Sequence, residues 1–226
     1  MSDDVAPVTK ARLPKGVLQE TPEEIEYELR AAEGSIWTGG RMLIGIGAFA
    51  FASLAFAYFY LRSLNSSQLW RPSGVTAPIG AGTAIFVIVV LSAALSGYGI
   101  LRLRRGLSVD WEVGGWISLA GGLTAVGLQI WQLTNLPFFP GSSGYASCFI
   151  GWAVMNVSML LCGCYWLETL LARSLRLRRA VAQDGGPAQS TLPVARMFRA
   201  NLEGCASFWG FMALMSLLFW LLFYVI

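Results

Sequence analysis

The chain has 226 residues, of which 55% are hydrophobic and only 13% charged, and its formal net charge is +3. This composition leaves little room for a soluble core and favours one polytopic membrane domain. The chain contains no histidine, which excludes histidine-ligated haem, copper or zinc and proton relays through imidazole.

Long uncharged intervals predict where the chain crosses a membrane. Twenty uncharged residues separate Arg41 from Arg62, thirty separate Arg71 from Arg102, and twenty-three follow Glu203. A bilayer core about 30 Å thick needs roughly 20 apolar residues of helix. Each of these three intervals therefore accommodates one transmembrane helix.

A fourth interval is too long for one crossing. Fifty-five uncharged residues lie between Glu112 and Glu168, and the turn-forming stretch 137–144 interrupts them. Such a cluster of Pro, Gly and Ser breaks a helix, so this interval predicts two spans joined by a short hairpin. The sequence thus predicts an all-α fold with five transmembrane helices, near residues 41–63, 78–102, 113–136, 144–172 and 204–226.

The basic residues predict the orientation of these spans. Only Arg62 and Arg71 fall on one side, whereas fourteen Lys and Arg residues fall on the other. Short loops rich in Lys and Arg stay in the cytoplasm, so the N-terminus is predicted to be cytoplasmic and the C-terminus periplasmic or exterior. The charges then encode topology and indicate no nucleic-acid partner. The fourteen residues are Lys10, Arg12, Lys15, Arg30, Arg41, Arg102, Arg104, Arg105, Arg173, Arg176, Arg178, Arg179, Arg196 and Arg199.

Residues 1–40 form a predicted cytoplasmic tail that contains a short amphipathic helix near 22–36. Thr21 and Glu24 have the spacing of a capping box, and Pro22 suits a first helical turn. Apolar residues then recur on one helical face. This helix is expected to lie along the membrane surface or to dock on a partner; the alternative is an acidic linker that frays into span one.

No metal site is expected in this chain. The four cysteines all fall within or at the ends of the predicted spans, where buried apolar thiols are the favoured interpretation; they are Cys148, Cys162, Cys164 and Cys205. Met155, Met159 and Cys162 share a face of span four, which leaves copper(I) ligation formally open. A packing stripe of soft apolar side chains explains the same pattern.

Few polar residues fall inside the predicted spans. Glu168 is the one charged candidate, and its position near the cytoplasmic end of span four favours an anchor that pairs with a nearby arginine over a proton carrier. The uncharged candidates are Gln129, Gln132, Asn135, Asn156 and Ser158. Gln132 and Asn156 are expected to meet across the hairpin between spans three and four, and interhelical hydrogen bonding explains them. The residues by themselves favour a non-catalytic scaffold.

Several segments, taken in order, resemble subunit III of the haem–copper respiratory oxidases in its five-helix bacterial form. The similarity extends over roughly residues 41–226. Its elements are Tyr58-Phe59-Tyr60-Leu61-Arg62 at the end of an alanine- and phenylalanine-rich first span, Trp70 and Pro72, Leu91–Ser96, Gln129-Ile130-Trp131-Gln132, Tyr145-Ala146-Ser147-Cys148-Phe149, and Phe208-Trp209-Gly210-Phe211.

The chain departs from the family at its ionisable membrane residues. The family's membrane glutamate falls on Gln132, and the histidines of the helix after the Tyr-Gly-Ser element have no counterpart here. Gly210 stands where histidine is usual. A proton-antenna role through those groups is therefore not expected of this divergent member.

The resemblance implies a function without redox chemistry in this chain. It implies an accessory, non-catalytic subunit of a proton-pumping cytochrome c or quinol oxidase in aerobic respiration, in the bacterial inner membrane. Haem and copper are then held by partner subunits, with subunit I and subunit II as the expected neighbours. Phospholipid is expected in a cleft between spans one–two and spans three–five. Candidate headgroup contacts are Arg62, Arg71, Arg102 and Arg105.

Two further classes of protein stay open at this stage. One is a small membrane transporter or channel subunit, which needs polar residues that converge at mid-membrane. The other is a structural subunit of a different membrane electron-transfer complex, for example one related to nitric oxide reduction.

Overall fold

The computed structural model describes residues 22–64, 70–104, 108–183 and 192–226, and over these residues it is helical apart from the connections. Each of five helices is long and apolar enough to cross a membrane, which confirms the predicted fold class and number of candidate spans. The elements are α1 (Pro22–Ser63), α2 (Ile79–Arg104), α3 (Ser108–Thr134), α4 (Gly144–Gln183), α5 (Leu192–Trp220) and a π-helix (Leu221–Val225) that continues α5.

The five helices form a bundle with two ends. We call the end near Pro22, Arg104 and Gln183 the N-terminal face, and the end near Ser63 and Val225 the C-terminal face. Helices α1, α3 and α5 run from the N-terminal to the C-terminal face, and α2 and α4 run back. The predicted cytoplasmic segments all belong to the N-terminal face.

Helix α5 lies at the centre of the bundle. It packs against α1, α2 and α4, whereas α1 and α2 make almost no contact with each other. The expected cleft requires spans one and two to pack together as one group of helices. They do not, so the predicted grouping of the helices around the cleft is wrong. Instead, a stripe of α5 stays exposed, formed by Ser207, Gly210, Leu214 and Leu217.

This exposed stripe faces the gap between α1 and α2. On the helical wheel of α5 it falls between the positions that contact α1, such as Phe211, and those that contact α2, such as Trp220. A groove floored by α5 and bordered by α1 and α2 follows from this placement.

Helices α1 and α5 run parallel in one register along the whole bundle. A Cβ atom on Gly40 would lie 3.8 Å from the Cα of Gly204, and Tyr58 donates a hydrogen bond to the Leu222 carbonyl oxygen. Both pairs join residues 164 positions apart. Because Gly40 has no side chain, the two backbones approach closely at this point, where the predicted spans 41–63 and 204–226 begin.

The predicted amphipathic segment 22–36 is helical, but it is the beginning of α1 and not a separate element. Helix α1 continues through 42 residues, a length of about 63 Å at 1.5 Å per residue. Its first turns are held to α5 by Arg196, which donates to Glu26 at 3.1 Å and to Glu33 at 3.1 Å. The segment thus extends the bundle beyond the apolar spans.

These ion pairs shift the ionisation of the exposed extension. Hydrogen bonds from Arg196 and then from Arg30 lower the pKa of Glu26. The same contact with Glu26 raises the pKa of Arg196. The pKa of Glu26 is lower in the folded chain than in the unfolded chain. The Glu26–Arg196 pair therefore stabilises the docking of α1 on α5 fully at pH values above the ordinary pKa of a carboxyl group, and this stabilisation is lost as the pH falls through the lowered pKa.

Close packing at glycines joins the remaining helices. Ser118 on α3 donates to the backbone oxygen of Ser92 on α2 at 2.8 Å, and small residues such as these let two helices approach closely. A Cβ atom on Gly82 would collide with the ring of Tyr224. A Cβ atom on Gly122 would collide with Trp209, so α2 and α3 both approach α5 at glycines.

Gly82→Ala is expected to destabilise the bundle by about 1–3 kcal/mol, because the added methyl group displaces the packed Tyr224 ring. Gly80→Ala, two residues earlier in α2, is the matched control, because a Cβ atom on Gly80 would have no other atom within 4 Å. This variant should change stability by less than about 0.5 kcal/mol. Thermal unfolding in detergent measures both variants. Equal effects of the two substitutions would contradict this packing.

Acidification is expected to release the N-terminal part of α1 from α5, because protonated Glu26 no longer accepts from Arg196 at full strength. Hydrogen exchange of residues 26–38, corrected for intrinsic rates, should increase as the pH falls below the usual carboxyl range. Arg196→Gln should show the faster exchange already at neutral pH. Arg199→Gln is the control, because Arg199 pairs with Glu203 within α5.

Candidate functional site

A chain of buried amides crosses the interior of the bundle. Asn156 donates to the Gln129 oxygen at 3.4 Å, and Gln129 donates to the Gln132 oxygen at 2.8 Å. Gln132 then donates to the hydroxyl oxygen of Tyr224 at 2.7 Å and lies 3.4 Å from the Pro78 carbonyl oxygen. The three amide side chains are fully buried. We call Asn156, Gln129, Gln132 and Tyr224 the amide chain.

The amide chain differs from the predicted set in its membership. Gln132 and Asn156 do not meet directly, because Gln129 lies between them. Asn135 and Ser158 are exposed and donate to carbonyl oxygens of their own helices. The sequence analysis did not predict Tyr224 as a partner. Its position in an aromatic stretch at the end of the chain does not indicate which residue its hydroxyl group contacts.

The amide chain links four elements but carries no titratable acid or base at its centre. A primary amide donates and accepts hydrogen bonds without ionising. The arrangement therefore supplies interhelical bonding between α4, α3, the start of α2 and the π-helix. The amide side chains themselves neither release nor take up a proton.

The core near the amide chain holds polar atoms that the described residues leave without a hydrogen bond. They are Trp152 Nε1, Asn156 Oδ1, Trp209 Nε1 and Ser216 Oγ. Each unpaired buried polar atom costs about 1–3 kcal/mol.

Aromatic side chains surround the end of α5 at the C-terminal face. Tyr58 from α1 donates to the Leu222 oxygen at 2.6 Å, and Tyr145 from α4 donates to the Phe223 oxygen at 3.1 Å. Trp70 stands edge-on to both tyrosine rings. The two hydroxyls thus satisfy carbonyl groups at a helix end, where intrahelical partners run out.

Arg62 and Arg71 lie on the two sides of this aromatic cluster. Arg62 donates to the Tyr58 hydroxyl at 3.1 Å. The Arg71 guanidinium lies 4.7 Å from the centre of the Tyr145 ring, within cation–π range. No Asp or Glu occurs in the sequence on this face. The C-terminal face therefore presents two fixed guanidinium groups without a compensating carboxylate.

The other two arginine candidates differ from this pair. Arg102 binds Asp110 at 2.6 Å and also lies over the Tyr98 ring. This ion pair joins α2 to α3 and neutralises the charge of Arg102; a headgroup contact at Arg102 stays a prediction. Arg105 lies outside the described residues.

Glu168 and the cysteines also depart from their predicted surroundings. Among the residues that the structure describes, Glu168 forms no ion pair, so the expected pairing with a nearby arginine is not observed. Cys148, Cys164 and Cys205 are buried as predicted, but Cys162 is exposed. The proposed Met–Cys face is not one environment, because Met159 is buried where Cys162 is exposed.

The geometry defines a class of protein: an all-helical bundle with five candidate membrane spans, a buried chain of amides and an arginine pair at one end. No protein-family model and no curated protein matches the chain.

Gln132→Leu is expected to destabilise the bundle by about 2–4 kcal/mol, because it leaves Gln129 and Tyr224 with unpaired buried groups. Gln129→Leu/Gln132→Leu should cost less than the sum of the single variants, since the two residues are hydrogen-bond partners. Unfolding in detergent measures the cycle. Asn135→Leu, on the exposed face, is the control; a Gln132→Leu effect no larger than this control would contradict the role of the amide chain.

Proposed function

We propose that this chain is a multi-pass protein of the bacterial inner membrane and serves as the accessory, non-redox subunit III of a haem–copper terminal oxidase. The N-terminal face is then cytoplasmic and the C-terminal face periplasmic. The support for orientation is the distribution of Lys and Arg, fourteen against two, since basic loops stay in the cytoplasm.

The observation that carries the proposal is the convergence of separate motif elements. Tyr58, Trp70 and Tyr145 come from three segments that resemble the family, and they meet in one aromatic cluster. Gln132, from a fourth segment, bonds to Tyr224 in the closing helix. Motif residues distant in the chain thus form a connected network, as expected if they belong to one inherited arrangement.

The proposed role is structural support of partner subunits. The buried amides of the amide chain form hydrogen bonds and do not ionise, so redox centres and proton transfer are assigned to subunit I. The helices instead present apolar surfaces to a partner or to lipid. The α1 helix is the least buried of the five candidate spans, which leaves most of its apolar surface available for such contacts.

The proposal includes a phospholipid at the C-terminal face. Arg62 and Arg71 provide two guanidinium groups for a phosphate, and anionic headgroups bind juxtamembrane arginines through their charge. The groove that α5 floors between α1 and α2 provides an apolar surface for acyl chains. The transporter alternative is less well supported, because the buried amides are mainly occupied by bonds to one another.

The test of the oxidase assignment is isolation of the tagged full-length chain from native membranes in a mild detergent. A reduced-minus-oxidised spectrum that shows haem, a co-isolated large subunit I and oxygen consumption would support the assignment. A haem-free isolate would overturn it and bring the transporter alternative forward.

Arg62→Gln/Arg71→Gln is expected to weaken the retention of anionic phospholipid by the purified protein roughly thirtyfold, since each of the two juxtamembrane arginines contributes about 1 kcal/mol. Lipid mass spectrometry of the extracted sample measures this. Arg173→Gln is the control for a juxtamembrane arginine at the opposite face. Equal lipid loss in the control would contradict a specific site at the C-terminal face.

A further inference from the structure

A groove on the outer surface of α3 and α4 is separate from the arginine pair and the amide chain. Its volume is about 340 Å³, and we call it the α3–α4 groove. Glu168 is the one charged residue in its lining. The lining includes Trp116, Leu119, Leu123, Leu161, Tyr165 and Glu168.

Glu168 lies where the apolar segment of α4 ends. Trp166 precedes it by two residues, and the ring of Trp166 would lie 3.3 Å from a Cβ atom on Gly40 and on Gly204. These two glycines stand at the borders of the first and last predicted spans. Glu168 also follows Gly144, the first residue of α4, by 24 residues, a helical rise of about 36 Å. Since a bilayer core is about 30 Å thick, Glu168 reaches the headgroup layer of the N-terminal face.

The α3–α4 groove runs inward from this border along both helices. A Cβ atom on Gly115 would collide with Leu171, and this antiparallel register places Trp116 within about one helical turn of the level of Glu168. Seven residues further along α3, Leu123 lies about 10 Å deeper at 1.5 Å per residue. The groove thus extends about 10 Å into a core about 30 Å thick, within one leaflet.

This short groove fits a lipid better than a helix of another protein. A transmembrane helix packs along the full core of about 30 Å, and the groove covers only about a third of that length. A phospholipid has a polar head in the headgroup layer and apolar chains below it. The groove has the same arrangement, with a carboxylate at the border and leucine side chains at greater depth.

The charge at the border selects the headgroup. Glu168 is exposed, and it forms no ion pair among the described residues. A carboxylate attracts a primary ammonium group, which donates up to three hydrogen bonds, and it repels a headgroup with net negative charge. Trp116 and Tyr165 are also exposed. Their indole N–H and phenolic O–H groups can donate to the phosphate or ester oxygens of the same lipid.

We propose that the α3–α4 groove binds a phosphatidylethanolamine molecule from the leaflet at the N-terminal face. The ammonium group of this lipid pairs with Glu168, and one acyl chain lies along Leu123 and Leu161. This assignment rests on the proposed membrane location and not on the oxidase assignment. The two faces of the bundle then select different headgroups, since the arginine pair at the C-terminal face attracts anionic lipid.

The test is native mass spectrometry of the full-length chain released from nanodiscs that contain equal amounts of phosphatidylethanolamine and phosphatidylglycerol. Glu168→Gln should lower the retained phosphatidylethanolamine about fivefold, as expected for one charge near the membrane surface. Glu203→Gln is the matched control at the same face, because Glu203 already pairs with Arg199 within α5. Unchanged retention in Glu168→Gln, or an equal loss in the control, would overturn the proposal.

A second pair of variants tests the acyl-chain part of the groove and leaves the charge in place. Leu161→Trp should fill the groove and lower the retained phosphatidylethanolamine, whereas Leu91→Trp, at an exposed apolar position of α2, should not. Phosphatidylcholine in place of phosphatidylethanolamine should be retained less, because its quaternary ammonium group has no N–H donor. Equal retention of the two lipids would overturn the assignment of a primary amine headgroup.

A photo-crosslinker in native membranes tests whether a protein occupies the groove instead. Tyr165→p-benzoylphenylalanine should form an adduct with the mass of a phospholipid. An adduct with a helix of another protein or of a second copy of this chain would overturn the proposal.

Failure of this inference is distinguishable from failure of the proposed function. A chain that does not insert into nanodiscs contradicts the membrane location itself. An inserted chain with unchanged lipid retention in Glu168→Gln overturns the α3–α4 site alone, and the haem content of the native isolate decides the oxidase assignment separately.

Discussion

The end of α5 is the point on which the arrangement of the other four helices depends. Tyr58 of α1 and Tyr145 of α4 donate to the carbonyl oxygens of Leu222 and Phe223. Gln132 of α3 donates to the Tyr224 hydroxyl, and α2 packs a glycine against the same ring. In an apolar surrounding no water competes for these groups, so each hydrogen bond specifies a neighbour.

The two faces of the bundle use charge differently. At the N-terminal face, carboxylates and arginines are combined into contacts between helices, as in Arg196 with Glu26 and Arg102 with Asp110. At the C-terminal face, Arg62 and Arg71 have aromatic rings and carbonyl or hydroxyl oxygens as neighbours, without a carboxylate. Charge at the first face joins helices of the chain, whereas charge at the second face has no Asp or Glu side chain to pair with.

The amide chain joins the helices through hydrogen bonds that need no ionisable residue. Gln132 accepts one hydrogen bond and donates another, and an amide does both in a neutral state at any physiological pH. A buried glutamate would need either a proton or a cation to achieve the same bonding. Gln132 thus supplies permanent hydrogen bonding between helices and no acid–base capacity.

The number of helices and their approximate spans followed from the spacing of charges, because a bilayer core sets the length of an uncharged helix. The helix ends did not. Helix α1 begins at Pro22 and not near residue 41, since a polar amphipathic sequence continues a helix once the apolar part has nucleated it. The extension is then held by Arg196, a residue 170 positions away from Glu26.

The candidate site was predictable in its residue types but not in its connections. The sequence by itself determined that Gln129, Gln132 and Asn156 are polar residues in apolar segments, which must bond within the bundle because lipid offers no partner. Only the tertiary structure decided that Gln129 mediates the link and that Tyr224 ends it. It also decided that α1 and α2 border different sides of α5. Local periodicity specifies which face of a helix is apolar, whereas the choice of neighbour depends on how side chains from distant segments fit together.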